Sequence, residues 1–365
     1  MSALRLASAS MMRTASQTHS LVREQHRSTE VVTPARYFCA VTSLPGSLLA
    51  GAVGDALGAA IEFDRIDRIR GRFGPSGLTD YAPAYGRSGA ITDDTQMTLF
   101  TLEGLVLARR RGSDPLDEVR AAYGRWLRTQ GGPEVPSDGW LLDVPELHAQ
   151  RAPGNTCLTA LHAGGPGTLE NPVNDSKGCG AVMRAAPVAL WSDDVHEVFA
   201  LAAATGAITH GHPSGYLSAG VLAVLVQQVL AGADLVAAVE VARAELVGWD
   251  GHEEQLALLD LAVGLGGSDR RPTPELIETV LGGGWVGEEA LAIAVLTALA
   301  ARDLADGLLL AVNHSGDSDS TGALCGNLLG ARDGVEAIPE HWLEELELAE
   351  VVRRLADEAV EVFGR

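Results

Sequence analysis

The sequence predicts an all-α protein, a single domain of about a dozen helices. Three observations carry this prediction. Apolar residues recur at helical spacing through most of the chain after residue 42. Alternating apolar and polar runs bounded by turns, which are typical of strands, are missing. No flexible linker and no repeat of fixed period divides the rest of the chain, so residues 43–365 are assigned to one helical domain with functional loops at the helix ends.

Glycine and proline separate the predicted helices, as at residues 131–133, 164–166 and 282–284. In chain order, helices are predicted over residues 48–63, 97–109, 116–127, 195–207, 217–230, 235–246, 256–265, 275–281, 290–299, 304–312, 324–329 and 343–363. The longest apolar stretch, residues 217–242, is interrupted by two glutamines and an aspartate. It therefore predicts two buried helices and no membrane span.

The composition excludes several classes of partner. The formal net charge is −21 and the isoelectric point is near 4.8, and a surface this acidic repels phosphate backbones and anionic lipid. Aromatic residues make up 5% of the chain, too few for a base-stacking platform. The four cysteines have neither metal-type spacing nor a disulfide pattern, so free thiols in a reducing cytosol are expected. The chain is expected to be a cytoplasmic monomer without general affinity for nucleic acid or membranes.

The first 42 residues differ from the rest. Residues 1–36 are rich in Ser and Thr and carry five arginines against Glu24 and Glu30. An arginine- and serine-rich, acid-poor start is typical of an organellar transit peptide. The remaining chain is rich in Ala, Gly, Leu, Arg and Asp, as in a high-GC bacterial genome, which favours a disordered tail or a misassigned start codon. Residues 1–42 are therefore left out of the fold prediction.

Acidic residues gather in three segments of small residues. In the first, residues 51–62, glycine and alanine at three- and four-residue spacing allow another helix to approach closely. Asp55 and Glu62 are seven residues apart, two helical turns, and so face the same way. The alternative is a tightly packed helix whose acids face solvent.

The second acidic segment, residues 91–97, places four consecutive side chains with oxygen atoms at the start of a predicted helix. Asp93, with Gln96 three residues later, resembles a capping box, and acids in a first turn suit the helix dipole. One cap, however, needs a single side-chain oxygen. Two adjacent ligands for a hard cation, Asp93 and Asp94, explain the remainder.

The third acidic segment begins like an EF-hand calcium loop, with Asp317, Asp319 and Thr321 at its alternate positions and Gly322 next. The last position of that loop requires a bidentate acid, and Leu328 stands there, which excludes an EF-hand. A helix of small residues, predicted to be buried, follows the acids. Asp317 and Asp319 are therefore predicted to be inward-facing oxygen ligands at a helix start.

If the three segments converge, Glu62, Asp93, Asp94, Asp317 and Asp319 bring five negative charges together. Two like charges about 4 Å apart repel by roughly 4 kcal/mol at an effective dielectric of about 20. A pair of divalent cations would remove most of that cost. Oxygen-only ligation suits Mg²⁺ or Mn²⁺ and does not suit Zn²⁺.

These motifs resemble, in order and spacing, those of the ADP-ribosylglycohydrolase family, and in particular its dinitrogenase reductase-activating branch. The three acidic segments match, as do residues 176–187 and 208–216, and the similarity runs from about residue 43 to residue 331. The resemblance implies a compact, orthogonal multi-helix domain. It also implies a dinuclear Mg²⁺ or Mn²⁺ site at the base of an ADP-ribose cleft.

The resemblance also implies roles for individual residues. Metal ligands are expected at Thr92, Asp93, Asp94, Asp317, Asp319 and Ser320, with Thr321 as the alternative hydroxyl. Catalytic roles are expected for Glu62, Asp93 and Asp319, and substrate contacts for Asp55, Ser176, Gly178, Cys179, Gly180, His210 and Tyr216. The family often has Asn where this chain has Cys179, so diphosphate contacts are expected from backbone N–H groups of residues 178–181.

The resemblance assigns no role to several other side chains. Arg184 either binds diphosphate or forms an internal ion pair, and both alternatives stay open. His212, which precedes Pro213, is predicted to lie at a helix start or in a loop. Four histidines belong to no recognisable constellation and are predicted to be ordinary surface or loop residues: His148, His162, His196 and His314.

The implied reaction is hydrolysis of the N- or O-glycosidic bond between ADP-ribose and an acceptor on a protein or small molecule. Carboxylates at the cleft floor would stabilise the oxocarbenium-like charge that develops. Two alternatives remain: a family member that binds ADP-ribose without turnover, and a Mg²⁺-dependent nucleotide phosphohydrolase. The acceptor is not encoded in a readable motif, and the loops at residues 71–89 and 131–167 are expected to select it.

Overall fold

The computed structural model describes residues 34–268 and 270–364, with side chains from Ser43 onward. Within these residues the protein has fifteen α-helices, five short 3₁₀ turns and no strand, which confirms the all-α prediction. The helices are α1 (Pro34–Gly58), α2 (Ile66–Phe73), α3 (Asp93–Arg111), α4 (Pro115–Thr129), α5 (Asn155–Ala163), α6 (Val195–Ala207), α7 (Pro213–Leu230), α8 (Leu235–Leu246), α9 (Glu253–Gly266), α10 (Pro274–Val280), α11 (Gly287–Ala300), α12 (Leu304–Val312), α13 (Ser318–Asp333), α14 (Glu340–Glu345) and α15 (Ala349–Phe363). The 3₁₀ turns are Leu141–Asp143, Pro145–Leu147, Cys179–Ala181, Ala186–Leu190 and Val335–Ala337. The predicted tail, residues 1–42, lies outside the residues whose side chains are described.

Most predicted helices are present, and α6, α8 and α12 have the predicted bounds. The single helix predicted over residues 343–363 is wrong. The segment forms α14 and α15, because Leu348 between them adopts the left-handed conformation with φ 62° and interrupts the helix. Two helices, α2 and α5, were not predicted. Each is short and buries only two side chains, although Ile66, Ile69 and Phe73 of α2 do have helical spacing.

Glycine brings α1 and α13 into backbone contact. A Cβ added to Gly54 would lie 2.0 Å from the carbonyl oxygen of Gly322, and one added to Gly58 would lie 2.2 Å from the amide nitrogen of Asp319. Any larger side chain at these positions would push the helices apart. The contact confirms the predicted close approach of small-residue helices. It places the C-terminal end of α1 directly beside the first turn of α13.

The central helix of the core is α7, which packs against α6, α8, α11 and α13. By length and composition, Pro213–Leu230 could cross a membrane, but 83% of this segment is buried inside the fold. Its apolar surface is therefore covered by neighbouring helices of the same chain. Together with α8 it forms the helix pair predicted for residues 217–242.

Candidate active site

A cleft of about 580 Å³ brings the three acidic segments together. Glu62 follows the end of α1, Asp93 and Asp94 begin α3, and Asp317 and Asp319 lie at the start of α13. These five carboxylates form the floor of the cleft, and none is more than 8% exposed. The predicted convergence of the three segments is confirmed.

The floor has the donor set of a cation site. Carboxylate oxygens of Glu62, Asp317 and Asp319 all lie within 4.8 Å of one another. Three buried oxygens, Glu62 Oε2, Asp94 Oδ1 and Asp319 Oδ1, have no hydrogen-bond partner among the described residues. A buried carboxylate oxygen without a partner is costly, and divalent cations bound at the floor would supply the missing partners. Oxygen donors at this spacing fit Mg²⁺ or Mn²⁺.

Burial and mutual repulsion hold the floor carboxyls towards their neutral forms. Burial, followed by the charges of Asp319 and Asp317, raises the pKa of Glu62 to about 10. Burial and the charge of Asp319 also raise the pKa values of Asp93, Asp94 and Asp317 well above their ordinary values. Without a counter-ion the cluster therefore keeps protons at neutral pH. A bound cation would displace those protons and restore ionised ligands.

Asp55 supports α3 from behind the floor. The Thr92 amide donates to both Asp55 carboxylate oxygens at 3.0 Å, and the Thr95 amide donates to Oδ2 at 3.1 Å. The Thr95 hydroxyl donates to the same oxygen. Asp55 is fully buried and is not part of the cleft lining. These hydrogen bonds let Asp55 position the start of α3, and the substrate contact predicted for Asp55 remains a prediction.

The cap of α3 differs from the predicted one. Thr92 Oγ1 accepts a hydrogen bond from the Asp94 amide at 3.3 Å, so Thr92 is the N-cap and the cap predicted at Asp93 is wrong. Because Thr92 caps the helix, both aspartates are free to face the cleft. Asp93 Oδ2 accepts from the Gly154 amide at 3.2 Å, which joins the loop before α5 to the floor.

The first turn of α13 distinguishes the two hydroxyl candidates. Thr321 Oγ1 is buried, lies 2.9 Å from His314 Nε2 and donates to the carbonyl oxygen of Ala311 at 2.8 Å. Ser320 instead lines the cleft beside Asp319. The geometry therefore favours Ser320 as the hydroxyl that reaches a cation. His314 lies in a loop, as predicted, but it is fully buried and helps to fix α13.

The predicted phosphate loop forms one wall of the cleft, which is lined by Gly178, Cys179 and Gly180. Position 180 requires glycine, because a Cβ there would lie 2.9 Å from the ring of His210. The Cys179 thiol donates to Asp317 Oδ2 at 2.8 Å and joins this wall to the floor. Cys179 is a free cysteine, as are the other two described ones.

His210 lines the cleft, as expected for a substrate contact. Burial and then the charge of Arg184 lower the pKa of His210 to about 3, so its imidazole is neutral. Arg184 is 1% exposed, lies 4.2 Å from the Tyr123 ring centroid and donates to Thr209 Oγ1 at 2.7 Å. These internal contacts match neither diphosphate binding nor an ion pair.

Besides Asp55, two other residues predicted to contact substrate lie outside the cleft lining. Ser176 Oγ accepts from the Gly178 amide at 3.3 Å and so supports the phosphate loop, and Tyr216 is half-buried in the first turn of α7. Their roles as substrate contacts remain predictions. His212 caps α7 by accepting from the Ser214 amide at 3.2 Å, which confirms its predicted place at a helix start.

Several lining residues were not found from the sequence: Phe63, Ala152, Pro153, Gly154, Asn155, Thr156, Cys157, Met183 and Trp285. Asn155 and Thr156 begin α5, a helix that gave no periodic signal. Phe63 and Trp285 lie at the mouth of the cleft. The available signal was their position, since Phe63 directly follows Glu62 and Trp285 follows three glycines in a chain with few aromatic residues.

The fold and the site together define an all-α enzyme with an acidic, cation-type cleft. The chain belongs to the ADP-ribosylglycohydrolase family, whose model matches residues 43–365. It is therefore a hydrolase of a glycosidic bond to ADP-ribose, which confirms the family and the enzyme class predicted from the sequence.

Named relatives and a solved structure agree with this family. The chain is 29% identical over 330 residues to the ADP-ribosyl-[dinitrogen reductase] glycohydrolase of Rhodospirillum rubrum, covering 87% of this chain and 96% of the relative. It is 25% identical to the ADP-ribosylarginine hydrolase Tri1 of Serratia proteamaculans, covering 86% and 77%. A solved ADP-ribosylglycohydrolase-related protein complex is 27% identical, with a TM-score of 0.64 and coverage of 88% of this chain and 98% of the other.

Proposed function

We propose that the protein removes ADP-ribose from arginine side chains of proteins by hydrolysing the N-glycosidic bond, with Mg²⁺ or Mn²⁺ bound at the cleft floor. The observation that carries the proposal is the convergence of five buried carboxylates, three of them with unpartnered oxygens, in one cleft. Arginine as the acceptor is supported by a relative named for ADP-ribosylarginine. A second relative, named for ADP-ribosylated dinitrogen reductase, supports a protein substrate.

The donor set has room for a pair of cations. Asp93 and Asp94 would hold one, with the Thr92 hydroxyl 3.5 Å from Asp94 Oδ2. Asp317, Asp319 and Ser320 would hold the other. Cations bound here would supply positive charge that orients the ribose hydroxyls and lowers the pKa of water. The unpartnered oxygens of Asp94 and Asp319 support one position on each side.

The remaining chemistry belongs to side chains and backbone groups of the chain. Glu62, with an unpartnered Oε2 at the edge of the floor, is placed to move a proton between water and the leaving nitrogen. Asp93 and Asp319 stabilise the oxocarbenium-like charge as the glycosidic bond lengthens. Within the loop of residues 178–181, the amides of Gly178 and Cys179 already donate to Ser176 Oγ and to the Trp285 carbonyl. The diphosphate would therefore be bound by the remaining N–H groups, those of Gly180 and Ala181, with the neutral ring of His210 behind the loop.

Release of ADP-ribose from an arginine-linked peptide tests the proposal. The wild-type protein should release free ADP-ribose in Mg²⁺ and release none in EDTA. Asp319→Ala should lower kcat by at least about a hundredfold, because the floor then lacks a carboxylate that both holds a cation and stabilises the developing charge. Asp357→Ala, which removes an exposed acid of α15, is the control and should keep full activity. Chromatographic separation of ADP-ribose from the intact peptide gives the rate.

Three outcomes would contradict the proposal. Equal release in EDTA would exclude the cation, and full activity of Asp319→Ala would exclude the floor as the reaction centre. Cleavage of ADP-ribose to AMP and ribose 5-phosphate, or release of inorganic phosphate from ADP, would point instead to a nucleotide phosphohydrolase.

A further inference from the structure

The mouth of the cleft carries a stacked pair of aromatic side chains. Phe63 is 73% exposed and Trp285 is 44% exposed, whereas the carboxylates of the floor are almost fully buried. Their ring centroids lie 5.6 Å apart, with 15° between the planes. Both side chains line the same cleft as the acidic floor. Large aromatic side chains left in solvent beside a cleft indicate a contact surface.

Backbone hydrogen bonds fix the turn that carries Trp285 to both the floor and the phosphate loop. The Asp317 amide donates to the carbonyl oxygen of Gly283 at 2.8 Å, and the Cys179 amide donates to that of Trp285 at 3.2 Å. A Cβ at position 283 would lie 2.9 Å from Trp285 Cδ1, so a larger residue there would displace the indole. Glu289 Oε2 accepts from the Gly283 amide at 3.1 Å. The backbone that carries the indole is therefore fixed relative to Asp317.

The segment that carries Phe63 is fixed from the opposite side. Phe63 directly follows Glu62 in the turn after α1. Three residues later, the Ile66 amide donates to Ser315 Oγ at 3.0 Å, which ties this segment to the loop before α13. The two rings thus meet above the floor, next to the proposed proton-transfer residue, although they come from distant parts of the chain.

The position of Phe63 and Trp285 at the mouth determines which part of a substrate they can contact. The scissile bond lies at the floor, and a protein acceptor must reach it from solvent, so the acceptor side chain passes the mouth. That side chain meets the flat faces of the two aromatic rings. A guanidinium group is planar and cationic, stacks on aromatic faces and is attracted to their π electrons. A serine linkage offers neither a plane nor a charge.

We propose that Phe63 and Trp285 form an acceptor subsite that binds the guanidinium-bearing side chain of the substrate and selects arginine-linked over serine-linked ADP-ribose. The subsite rests on the proposed function, since it names the acceptor of the same reaction. Its rings contact the acceptor and leave the ADP-ribose moiety to the floor and the phosphate loop.

Kinetics on arginine-linked and serine-linked ADP-ribosyl peptides tests the subsite. Phe63→Ala and Trp285→Leu should each lower kcat/KM for the arginine-linked peptide on the order of tenfold, because each removes an aromatic face. Any turnover of the serine-linked peptide should stay unchanged. Trp285→Phe, which keeps a flat ring, should retain most of the activity. The calorimetric Kd of ADP-ribose in Mg²⁺ should stay within about twofold in all three variants.

Phe73→Ala is the matched control. Phe73 is 36% exposed on α2, lies outside the cleft lining and has the Arg72 guanidinium 4.7 Å from its ring centroid. It is therefore an exposed, cation-stacked ring away from the mouth, and its removal should leave both peptides unaffected. Unchanged arginine-linked kcat/KM in Phe63→Ala and Trp285→Leu, or an equal loss of ADP-ribose affinity, would overturn the subsite.

Binding of a product-like ligand separates failure of the subsite from failure of the proposed function. The Kd of acetylarginine methylamide, measured by calorimetry on protein saturated with Mg²⁺ and ADP-ribose, requires no turnover. A Kd about tenfold weaker in Phe63→Ala and Trp285→Leu, but not in Phe73→Ala, supports the subsite even if no peptide is hydrolysed. In that case the proposed hydrolysis is wrong and the proposed subsite is not. No binding to the wild type, or equal binding by all variants, overturns the subsite whether or not the arginine-linked peptide is hydrolysed.

Discussion

Asp55 accepts hydrogen bonds from three groups at the start of α3 and so sets the direction in which Asp93 and Asp94 point. Burial and the charge of Asp319 raise the pKa of Asp55 to about 7, against the opposing effect of these hydrogen bonds. One buried carboxylate therefore joins α1 to α3 and orients one side of the cleft floor. The floor depends on this side chain although Asp55 does not line the cleft.

Replacing this carboxylate with an amide should weaken both the fold and the cation site. In Asp55→Asn an NH₂ group replaces one accepting oxygen, so either it faces the Thr92 N–H as a second donor or the Thr95 amide loses its acceptor, which costs about 1–3 kcal/mol. We expect a lower melting temperature and a lower Mg²⁺ affinity, measured by calorimetry. Asp234→Ala, which removes the cap of α8, is the control and should lower the melting temperature without changing Mg²⁺ affinity. An Asp55→Asn variant with normal stability that fails to bind ADP-ribose would instead support direct substrate contact.

Residue types were easier to predict than residue partners. The five floor carboxylates could be found because each lies among small residues at a predicted helix end, where solvated acids or simple caps do not explain their number. The donors to Asp55 and the cap at Thr92 could not be found in this way. These hydrogen bonds depend on which side chain lies close to each amide in the folded protein. The packing of α1 against its neighbours determines this, and sequence spacing does not.

At the scale of helices, the contact between α1 and α13 sets the geometry of the floor. The backbones touch at Gly54 and Gly322, and α1 ends next to the amide of Asp319. A shift of α13 would move Asp317 and Asp319 away from Glu62 as one body, because both aspartates lie at the start of that helix. The small residues of these helices therefore serve the site as much as the core.

A single methyl group added at the contact between α1 and α13 should disturb both the core and the site. In Gly322→Ala the Cβ would lie 2.4 Å from the carbonyl oxygen of Gly54, so the helices must separate. We expect a loss of about 1–3 kcal/mol in the free energy of unfolding, together with weaker Mg²⁺ binding. Gly264→Ala is the matched control: it also lies inside a helix, α9, with open space around it, and should be neutral or gain about 0.5–1 kcal/mol. Urea unfolding of both variants measures the difference, and equal stability would contradict the role of the contact.

Long apolar helices could be predicted from the sequence, whereas short ones and breaks could not. The apolar helices α6, α8 and α12 have their predicted bounds. In α2, Ile66, Ile69 and Phe73 do have helical spacing, but charged residues and glycine fill the rest of this eight-residue helix, and α5 buries only two residues. The break at Leu348 gives no sequence signal, because leucine favours helices and its left-handed conformation is imposed by tertiary packing. Because α5 was not predicted, Asn155 and Thr156 were not identified as residues of the cleft.

At the scale of the whole molecule, buried acidic groups inside and outside the cleft have different surroundings. The chain has 48 acidic residues and 27 Lys and Arg residues. Outside the cleft, the buried Asp306 lies between Arg271 and Arg302, and the buried Asp64 lies between Arg68 and Arg72. Among the described residues, no Lys or Arg forms an ion pair with the five floor carboxylates. A bound cation would therefore supply the positive charge that the described residues do not provide to the floor.

Stability without a cation should therefore fall as pH rises. The pKa of Glu62 is raised from 4.5 to about 10 by burial and neighbouring charges, so above about pH 5 the folded protein holds a proton that the unfolded chain has released. Each such carboxyl lowers the free energy of unfolding by about 1.4 kcal/mol per pH unit until its folded pKa is reached. Buried His210, whose pKa is lowered to about 3, acts in the opposite direction, but only below about pH 6.5, where the unfolded histidine is charged. Between about pH 7 and 9 the acidic floor should dominate the slope, and the buried thiols of Cys157, Cys179 and Cys325 add to it in the same direction, because burial raises their pKa values above those of the unfolded thiols.

Urea unfolding at about pH 7, 8 and 9, in EDTA and in saturating Mg²⁺, measures this slope. In EDTA the free energy of unfolding should fall with each step. In Mg²⁺ the carboxylates are ionised in both states, so the slope should largely vanish and the stabilisation by the cation should grow with pH. Glu62→Gln, which cannot titrate, should have a shallower slope in EDTA than the wild type. A Mg²⁺ stabilisation that is equal at all three pH values would mean that the floor carboxylates do not hold the cation, because displacing their protons must make binding stronger as pH rises.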